Sequence, residues 1–306
     1  MDRPKNYEHQ IEEGQRPKFD IDEIKLIFNY NWDADGRQHM IGNIENENWR
    51  IFQRLMTEIK KDFPDLYHNP PTKEELENIV TKLQALYADE PENLKILNES
   101  NSSETSQQIK YHLGIKREDK IYQLYYLVSC LKKGKIDEED PINDIKTVLD
   151  SKKLLVLGDD NGSLSEMLRF YGADAYGIEY DELAVLIAHS GILSRDGKPQ
   201  TQLLSGNIGD LSLEQSELIE KLQKLGPFDT IMSHAVFNTG SGIEDAIHFI
   251  DDPQEMIDML WKNINDLLDE DGIQLHTNVD MPEAFSFKYD ETIKRNHAVM
   301  IPKEKN

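Results

Sequence analysis

A polar loop bounded by two glycines is the part of this sequence best suited to chemistry. An apolar run at residues 154–157 breaks into Gly158-Asp159-Asp160-Asn161-Gly162, and helical spacing of apolar residues follows it. Gly158 can turn tightly, and Gly162 lets the next helix begin close to the strand with its free N–H groups facing a polar ligand. The loop therefore predicts a nucleotide site. An ordinary strand-to-helix turn without a ligand would give the same local pattern.

A carboxylate further along the chain supports the nucleotide interpretation. Residues 174–180 form a second strand-like run, and Glu179 near its end lies about twenty residues beyond the loop, where such folds hold a ribose. Its two carboxylate oxygens suit the diol of a sugar. We therefore expect Glu179 and the loop to bind one nucleotide-like ligand.

The surrounding elements must bring these residues to one edge of a sheet. Strand patterns recur at residues 202–211, 228–236 and 273–279, and segments with helical spacing lie between them. This alternation predicts right-handed crossovers and a mostly parallel, Rossmann-like α/β sheet with helices on both faces.

Over residues 148–303, the order of these pieces resembles that of the class I S-adenosylmethionine-dependent methyltransferases. The resemblance implies that Gly158 and Gly162 are the outer glycines of the loop that binds the methyl donor, S-adenosylmethionine. It also implies that Glu179 binds the ribose of the donor and that Asp210 meets the adenine amino group. Residues 287–289 and 297–301 resemble the antiparallel hairpin that ends the family's sheet, which brings the expected sheet to seven strands.

The run at residues 228–236 resembles the family's fourth-strand motif, which lines the methyl-donor pocket. The resemblance implies that Ser233 lines this pocket and that His234 and Asn238 lie where an acceptor reaches the methyl group. His234 could take a proton from a hydroxyl or ammonium nucleophile near neutral pH, or it could only hydrogen-bond a loop. Little other acid or base chemistry is required, because the sulfonium is already activated and the enzyme mainly aligns the acceptor.

Two positions depart from the family pattern. Val156 stands where the family usually has an acid two residues before the first glycine, and Asp160 replaces the middle glycine. Asp159 and Asp160 could supply the missing carboxylate to the ammonium group of the donor, or they could block the pocket. The first alternative predicts methyl transfer. The second predicts a non-catalytic interaction protein that keeps the methyltransferase fold.

Two other activities stay open. The fragment Gly158-Asp159-Asp160 is similar to relatives that transfer an aminopropyl group from decarboxylated S-adenosylmethionine to a polyamine, whose positive charge an acidic pocket would favour. A nicotinamide-linked oxidoreductase would share the loop and Glu179. The acid after the third strand and the terminal hairpin fit the methyl-donor family better.

The chain is strongly acidic, with 58 Asp and Glu against 34 Lys and Arg and a formal net charge of -24. Such a surface repels phosphate backbones, so nucleic acid is not expected as a partner, and a small molecule or a basic protein segment is the expected acceptor. No apolar run approaches the roughly 20 residues that span a bilayer, and the start of the sequence lacks the apolar core of a signal peptide. We therefore expect a cytoplasmic protein without a membrane anchor.

Residues 1–140 have almost wholly helical patterns and predict a helical domain that caps a Rossmann-like domain at residues 141–306. An aromatic group at residues 28–32 could form a lid over the donor, or it could pack locally. The single cysteine, Cys130, lies in an apolar helical pattern and is expected to be a buried apolar residue rather than a nucleophile. No Cys or His pair has the spacing of a zinc site, so no metal is expected.

Overall fold

The structure is a computed structural model that describes residues 47–63, 72–99, 117–132, 136–234, 236, 253–277 and 298–302. Strand and helix alternate after residue 150, because apolar runs of strand length are separated by segments with helical spacing. The described helices are α1 (Glu47–Asp62), α2 (Lys73–Leu86), α3 (Pro91–Glu99), α4 (Arg117–Lys132), α5 (Pro141–Leu149), α6 (Ser163–Phe170), α7 (Glu182–Ser190), α8 (Glu217–Leu225) and α9 (Pro253–Leu267).

The described strands form one sheet in the order β3-β2-β1-β4-β5-β6. The first five strands are parallel, and β6 runs antiparallel to β5 at the edge. The reversal of strand order beside β1 is the arrangement of a doubly wound α/β fold. The strands are β1 (Lys153–Leu157), β2 (Asp174–Glu179), β3 (Leu203–Ser205), β4 (Phe228–His234), β5 (Leu268–Thr277) and β6 (Ala298–Pro302).

The number of strands differs from the sequence-based expectation. Within the part of the chain that the structure describes, the sheet has six strands, five parallel and one antiparallel, rather than the seven predicted. The predicted terminal hairpin accounts for the difference. Its second arm forms β6 and pairs with β5, whereas its first arm, at residues 287–289, lies outside the described residues.

Both faces of the sheet are covered by helices, which explains why β1 is apolar from residue 154 to residue 157. Leu154 and Val156 belong to the same apolar cluster as residues of α1, α4, α5 and α6. Leu155 and Leu157 belong to a second cluster, with residues of α8 and α9. Because successive side chains of a strand point to opposite faces, all four residues at 154–157 must be apolar to fill both clusters.

The described helices before β1 share their cores with the sheet. Leu55 of α1 and Leu124 of α4 are buried in the cluster that contains β1, and Phe63 meets Phe170 edge to face with ring centroids 5.0 Å apart. The two helices α2 and α3 pack on α7, where the Tyr87 hydroxyl donates to the Leu186 carbonyl oxygen at 2.9 Å. A domain boundary after residue 140 stays a prediction.

Cys130 is buried on α4, as predicted, and burial raises the pKa of its thiol to about 12, which keeps it protonated and unreactive. Across the described ranges, no helix is long and apolar enough to cross a membrane. The same residues contain no group of three or more His, Cys, Asp and Glu side chains that could hold a metal ion.

Candidate functional site

The register of the parallel strands brings several predicted site residues to one edge of the sheet. Leu157, the last residue of β1, pairs with Ile178 of β2 and with Ser233 of β4. Each strand therefore ends at the same edge, which is where open α/β sheets bind ligands. The residues that come next in the three strands are Gly158, Glu179 and His234.

Residues 158–162, the glycine loop, bend sharply between β1 and α6. Gly158, Asp160 and Gly162 all have left-handed backbones, with φ of 68°, 56° and 75°. This conformation suits glycine, and for Asp160 it costs on the order of 1 kcal/mol. The N–H groups of Gly158 and Asp159 both donate to the Ile178 carbonyl oxygen, at 2.9 and 3.0 Å. The loop therefore has a left-handed backbone at its middle position although the residue there, Asp160, is not a glycine.

The outer glycines make room for neighbouring side chains. A Cβ atom on Gly158 would lie 2.7 Å from Cγ2 of Val236, which follows β4, and one on Gly162 would lie 3.1 Å from Oε1 of Gln200. Gln200 in turn accepts a hydrogen bond from Arg169 of α6 at 2.8 Å. At both positions, a side chain would therefore add crowding to a left-handed backbone, whether or not a ligand is bound.

Asp159 lies beneath the loop and is fully buried. Its Oδ1 and Oδ2 atoms accept the N–H groups of Leu164 and Ser165, each at 3.2 Å, at the start of α6. Its Oδ2 also lies 2.6 Å from the position that a Cβ on Gly177 would take. Burial raises the pKa of the Asp159 carboxyl, and the nearby Lys120 ammonium opposes that rise. The structure thus places the Asp159 carboxylate at the N-terminus of α6 rather than at the sheet edge.

Glu179 is 6% exposed and is held by backbone N–H groups. Its Oε2 accepts from Asp160 at 2.8 Å, and its Oε1 accepts from Tyr180 and Asp181, each at 2.9 Å. Burial raises the pKa of its carboxyl, and the hydrogen bonds from Asp181 and Asp160 oppose the rise. A carboxylate has about four lone-pair positions, so these three bonds leave one acceptor position for a ligand hydroxyl.

Two further groups follow the ends of β2 and β3. Asp210 is partly exposed in a short 3₁₀ helix (Ile208–Ser212) after β3, the strand whose Ser205 pairs with Glu179. Tyr180 directly follows Glu179 and is 66% exposed, so it offers an aromatic face at the sheet edge. We did not predict Tyr180 as a site residue. An aromatic residue directly after a strand-ending acid was the available signal.

Ser233 is buried on the face of the sheet that α9 covers. Its Oγ lies 2.8 Å from Nδ1 of His276, and Nε2 of His276 lies 3.2 Å from Oε1 of Gln274. Burial lowers the pKa of His276 to about 3, so the imidazole is neutral. The Gln274 oxygen can only accept, which puts the imidazole hydrogen on Nε2 and leaves Nδ1 to accept the Ser233 hydroxyl. Ser233 thus takes part in a closed polar network within the core.

His234 is half-buried at the end of β4 and contacts β5. Its Nδ1 lies 2.9 Å from the Thr277 hydroxyl oxygen, which is 3.2 Å from the Ser233 carbonyl oxygen. Because a carbonyl only accepts, the hydroxyl hydrogen goes to Ser233, and the hydroxyl oxygen accepts from His234. This arrangement favours the tautomer with hydrogen on Nδ1 and the lone pair on Nε2.

Some predicted groups cannot be placed. Asn238 and the aromatic group at residues 28–32 lie outside the described residues. Conversely, the structure brings Lys120 of α4 to the glycine loop, with its Nζ 3.5 Å from the Asp159 carbonyl oxygen. Sequence reasoning missed this contact. The available signal was a lysine that begins an apolar helical run, but nothing in the sequence indicates which partner it meets.

A groove of about 320 Å³ lies away from the glycine loop, between α1 and α5. Cations and anions are mixed on its walls, and Lys61 and Glu58 form an ion pair at 2.7 Å. The groove therefore offers no concentrated positive charge to a phosphate backbone. Its charged residues are Arg54, Glu58, Lys61, Asp62, Glu139, Asp140 and Lys146.

No protein-family model matches this sequence, and no curated protein matches it at a significant level. Solved structures give matches at low identity. A TehB-like S-adenosylmethionine-dependent methyltransferase from Corynebacterium glutamicum is 15% identical, with a TM-score of 0.30, over 54% of this chain and 78% of that one. Magnesium protoporphyrin IX methyltransferase from Synechocystis, solved with bound S-adenosylmethionine, is 12% identical, with a TM-score of 0.31, over 64% of this chain and 94% of that one.

A candidate S-adenosylmethionine-dependent methyltransferase from Methanococcus maripaludis is 14% identical, with a TM-score of 0.29, over 44% of this chain. The match spans about half of that protein's length, 52%. Similarity at this level carries no conclusion about activity. The function is therefore inferred from the residues at the carboxyl edge of the sheet.

Proposed function

We propose that this protein binds S-adenosylmethionine at the carboxyl edge of the sheet and transfers its methyl group to a small molecule or a basic protein segment. The observation that carries the proposal is the contact between the glycine loop and Glu179. The Asp160 N–H donates to Glu179 Oε2 at 2.8 Å, so the loop and the acid form one structure at the end of β1 and β2. In folds of this kind, a glycine-containing loop and an acid at the end of the second strand bind a ligand that carries a nucleoside.

The residues present fit the donor in their chemistry. Glu179 keeps one acceptor position for a ribose hydroxyl, and Asp210, after the neighbouring strand, can accept from an adenine amino group. Tyr180 offers an exposed ring on which a base can stack. Gly158, Asp160 and Gly162 set the shape of the loop that would hold the methionine part.

When bound, S-adenosylmethionine supplies an activated methyl group on a sulfonium, so the chain's own residues mainly align the acceptor and handle its proton. His234 is suited to the second task. As the acceptor's oxygen or nitrogen gains the methyl group, Nε2 of His234 takes the proton that the acceptor loses. Thr277 fixes the ring for this role by accepting from Nδ1 at 2.9 Å.

The acceptor class follows from charge. A formal net charge of -24 disfavours a polyanionic acceptor and favours a neutral or cationic one. An acceptor that carries a hydroxyl or an amine would also provide the proton that His234 removes.

Calorimetric titration with S-adenosylmethionine, its decarboxylated form and S-adenosylhomocysteine tests the donor site. We expect the first and third to bind. Glu179→Gln should weaken that binding by about tenfold or more, because a hydrogen bond to a charged acceptor is lost. Circular dichroism would verify that the variant is folded.

Glu182→Gln is the matched control, because it makes the same charge change three residues away on an exposed position of α7. It should bind the donor as the unaltered protein does. Equal affinity of the unaltered protein and Glu179→Gln would remove Glu179 from the site. Preference for the decarboxylated form would instead favour aminopropyl transfer, which draws no support from the buried Asp159 carboxylate.

A second candidate is a non-catalytic interaction protein with a methyltransferase-like fold. The tight closure of the loop favours it, because Asp159 is fully buried and Glu179 is 6% exposed. This candidate predicts that none of the three ligands binds. Turnover of the donor with any acceptor would exclude it.

A further inference from the structure

Lys120 is a buried lysine on α4, one of the helices that precede β1, and its side chain contacts the glycine loop. The residue is 5% exposed, and its Nζ lies 3.5 Å from the carbonyl oxygen and 3.9 Å from Oδ1 of Asp159. A buried ammonium is costly unless an anion or strong acceptors compensate it. The position of Lys120 on α4 therefore depends on Asp159.

The buried Asp159 carboxylate is in turn stabilised by the Lys120 ammonium. The N–H groups of Leu164 and Ser165 accommodate both of its oxygens, but they carry no full charge. Arg169 also attracts this carboxylate, yet its guanidinium donates to Ala175 and Gln200, each at 2.8 Å. Among the residues that the structure describes, Lys120 is the cation in direct ion contact with Asp159.

Further contacts connect Asp159 to the sheet edge. Asp159 lies between Gly158 and Asp160, which both have left-handed backbones, so its position fixes the direction of the chain on either side. The next residue, Asp160, donates its N–H to Glu179. A continuous path of contacts thus joins α4 to the carboxylate that would bind the ribose.

We propose that the Lys120–Asp159 ion pair is a clasp by which α4 holds the glycine loop, and with it Glu179, in the shape that binds the donor. Lys120 is in this sense a positioning residue, because it acts on the ligand through Asp159 and the loop. The identity of the ligand rests on the proposed function, whereas the hold on the loop can be measured without any ligand.

Amide hydrogen exchange of the peptide that contains residues 157–166, read by mass spectrometry, tests the clasp directly. Lys120→Met should raise exchange in this peptide by about a hundredfold, because it leaves a buried carboxylate without its cation. Peptides from the buried strand β4 should change much less. A general loss of stability would raise exchange in both, so the comparison separates positioning from a purely structural role.

Three companion variants make the test specific. Lys120→Arg keeps the charge and should retain most of the protection. The double variant Lys120→Met/Asp159→Asn removes both charges of the ion pair and should recover part of the protection; this variant also serves if Lys120→Met does not fold. Gln123→Leu is the matched control, because Gln123 lies one turn along α4, is buried, and its Nε2 has no hydrogen-bond partner within the described chain.

Donor titration completes the test. Lys120→Met should weaken the affinity for S-adenosylmethionine by about tenfold or more, in parallel with the loss of loop protection. Unchanged exchange in Lys120→Met, a double variant without any recovery, or a loosened loop with unchanged donor affinity would each overturn the clasp. If the unaltered protein binds no donor while Lys120→Met still loosens the loop, the proposed function fails and the hold of α4 on the loop stands.

Discussion

At the scale of single residues, His276 couples pH to folding. It is buried beside Ser233, Gln274 and the edge of the Trp261 ring, and none of these neighbours is charged. Burial lowers its pKa from 6.5 to about 3, so the unfolded chain takes up a proton below pH 6.5 that the folded chain does not. The stability contributed by this group is therefore present above pH 6.5 and is lost as the pH falls from 6.5 toward 3.

The variant His276→Gln tests this coupling. The free energy of unfolding of the unaltered protein should fall with decreasing pH more steeply than that of the variant, by up to about 1.4 kcal/mol per pH unit. Urea unfolding at about pH 7 and about pH 5 measures the two slopes. Ser233→Ala removes a hydrogen bond but keeps the imidazole, so its slope should match the unaltered protein. Parallel slopes for His276→Gln and the unaltered protein would show that His276 is not the group responsible.

At the scale of elements, the sequence predicts β1, β2 and β4 closely, because each is a largely buried segment of strand length that is followed by a turn or a helical pattern. The start of β5 was harder to predict. The Asp271-Gly272 pair suggested a strand from residue 273, whereas β5 begins at Leu268, directly after α9. The pairing of β5 with β4 shifts register between Phe228 and Thr230. Such an irregularity lets the exposed polar residues 269–271 lie within the strand, although they interrupt its apolar pattern.

The site was predicted only in part, because most of its contacts are not local. The register of the parallel strands brings Gly158, Glu179 and His234 to one edge of the sheet. The alternation of strand and helix in the sequence implies this arrangement, because it predicts parallel strands that end at the same edge. The side-chain orientation of Asp159 could not be inferred, because it depends on Lys120, which lies 39 residues earlier. The same holds for the pairing of His234 with Thr277 across two strands.

The packing of β2 against the glycine loop gives a prediction at this scale. A Cβ on Gly177 would lie 2.6 Å from Asp159 Oδ2 and 2.7 Å from Leu203 Cδ1, so Gly177→Ala should lower the free energy of unfolding by about 1–3 kcal/mol. Denaturant unfolding of a double-mutant cycle would check the cause. The penalty should be smaller in an Asp159→Ala background, because the contact with Oδ2 is gone, whereas the contact with the Asp159 Cβ atom at 2.9 Å remains. An equal penalty in both backgrounds would assign the clash to Leu203 and the Asp159 Cβ atom.

At the scale of the whole molecule, the helices that precede β1 and the sheet should unfold together. Leu55 of α1 is fully buried in the cluster that contains β1, so Leu55→Ala should cost about 2–5 kcal/mol and destabilise the sheet as well as the helix. Far-ultraviolet circular dichroism and the emission of the buried Trp261, measured during denaturant unfolding in a background with Trp32 and Trp49 replaced by Phe, should give coincident transitions.

Leu86→Ala is the control for this prediction, because Leu86 is a 53% exposed leucine on α2 and its loss should have a small effect. Two separate transitions, with the sheet unaffected by Leu55→Ala, would instead support a helical domain that folds independently before residue 141.

The crowding of Gly177 against Asp159 also limits how this sequence can diverge. A side chain at position 177 is accommodated without strain only after the residues at positions 159 and 203 make room, and a smaller, uncharged residue at position 159 leaves Lys120 as a buried charge without its anion. Related chains in which position 177 varies freely beside a fixed Lys120 and Asp159 would contradict this coupling. Positions 120, 159 and 177 are thus expected to have evolved as one unit, although they belong to three separate elements of the chain.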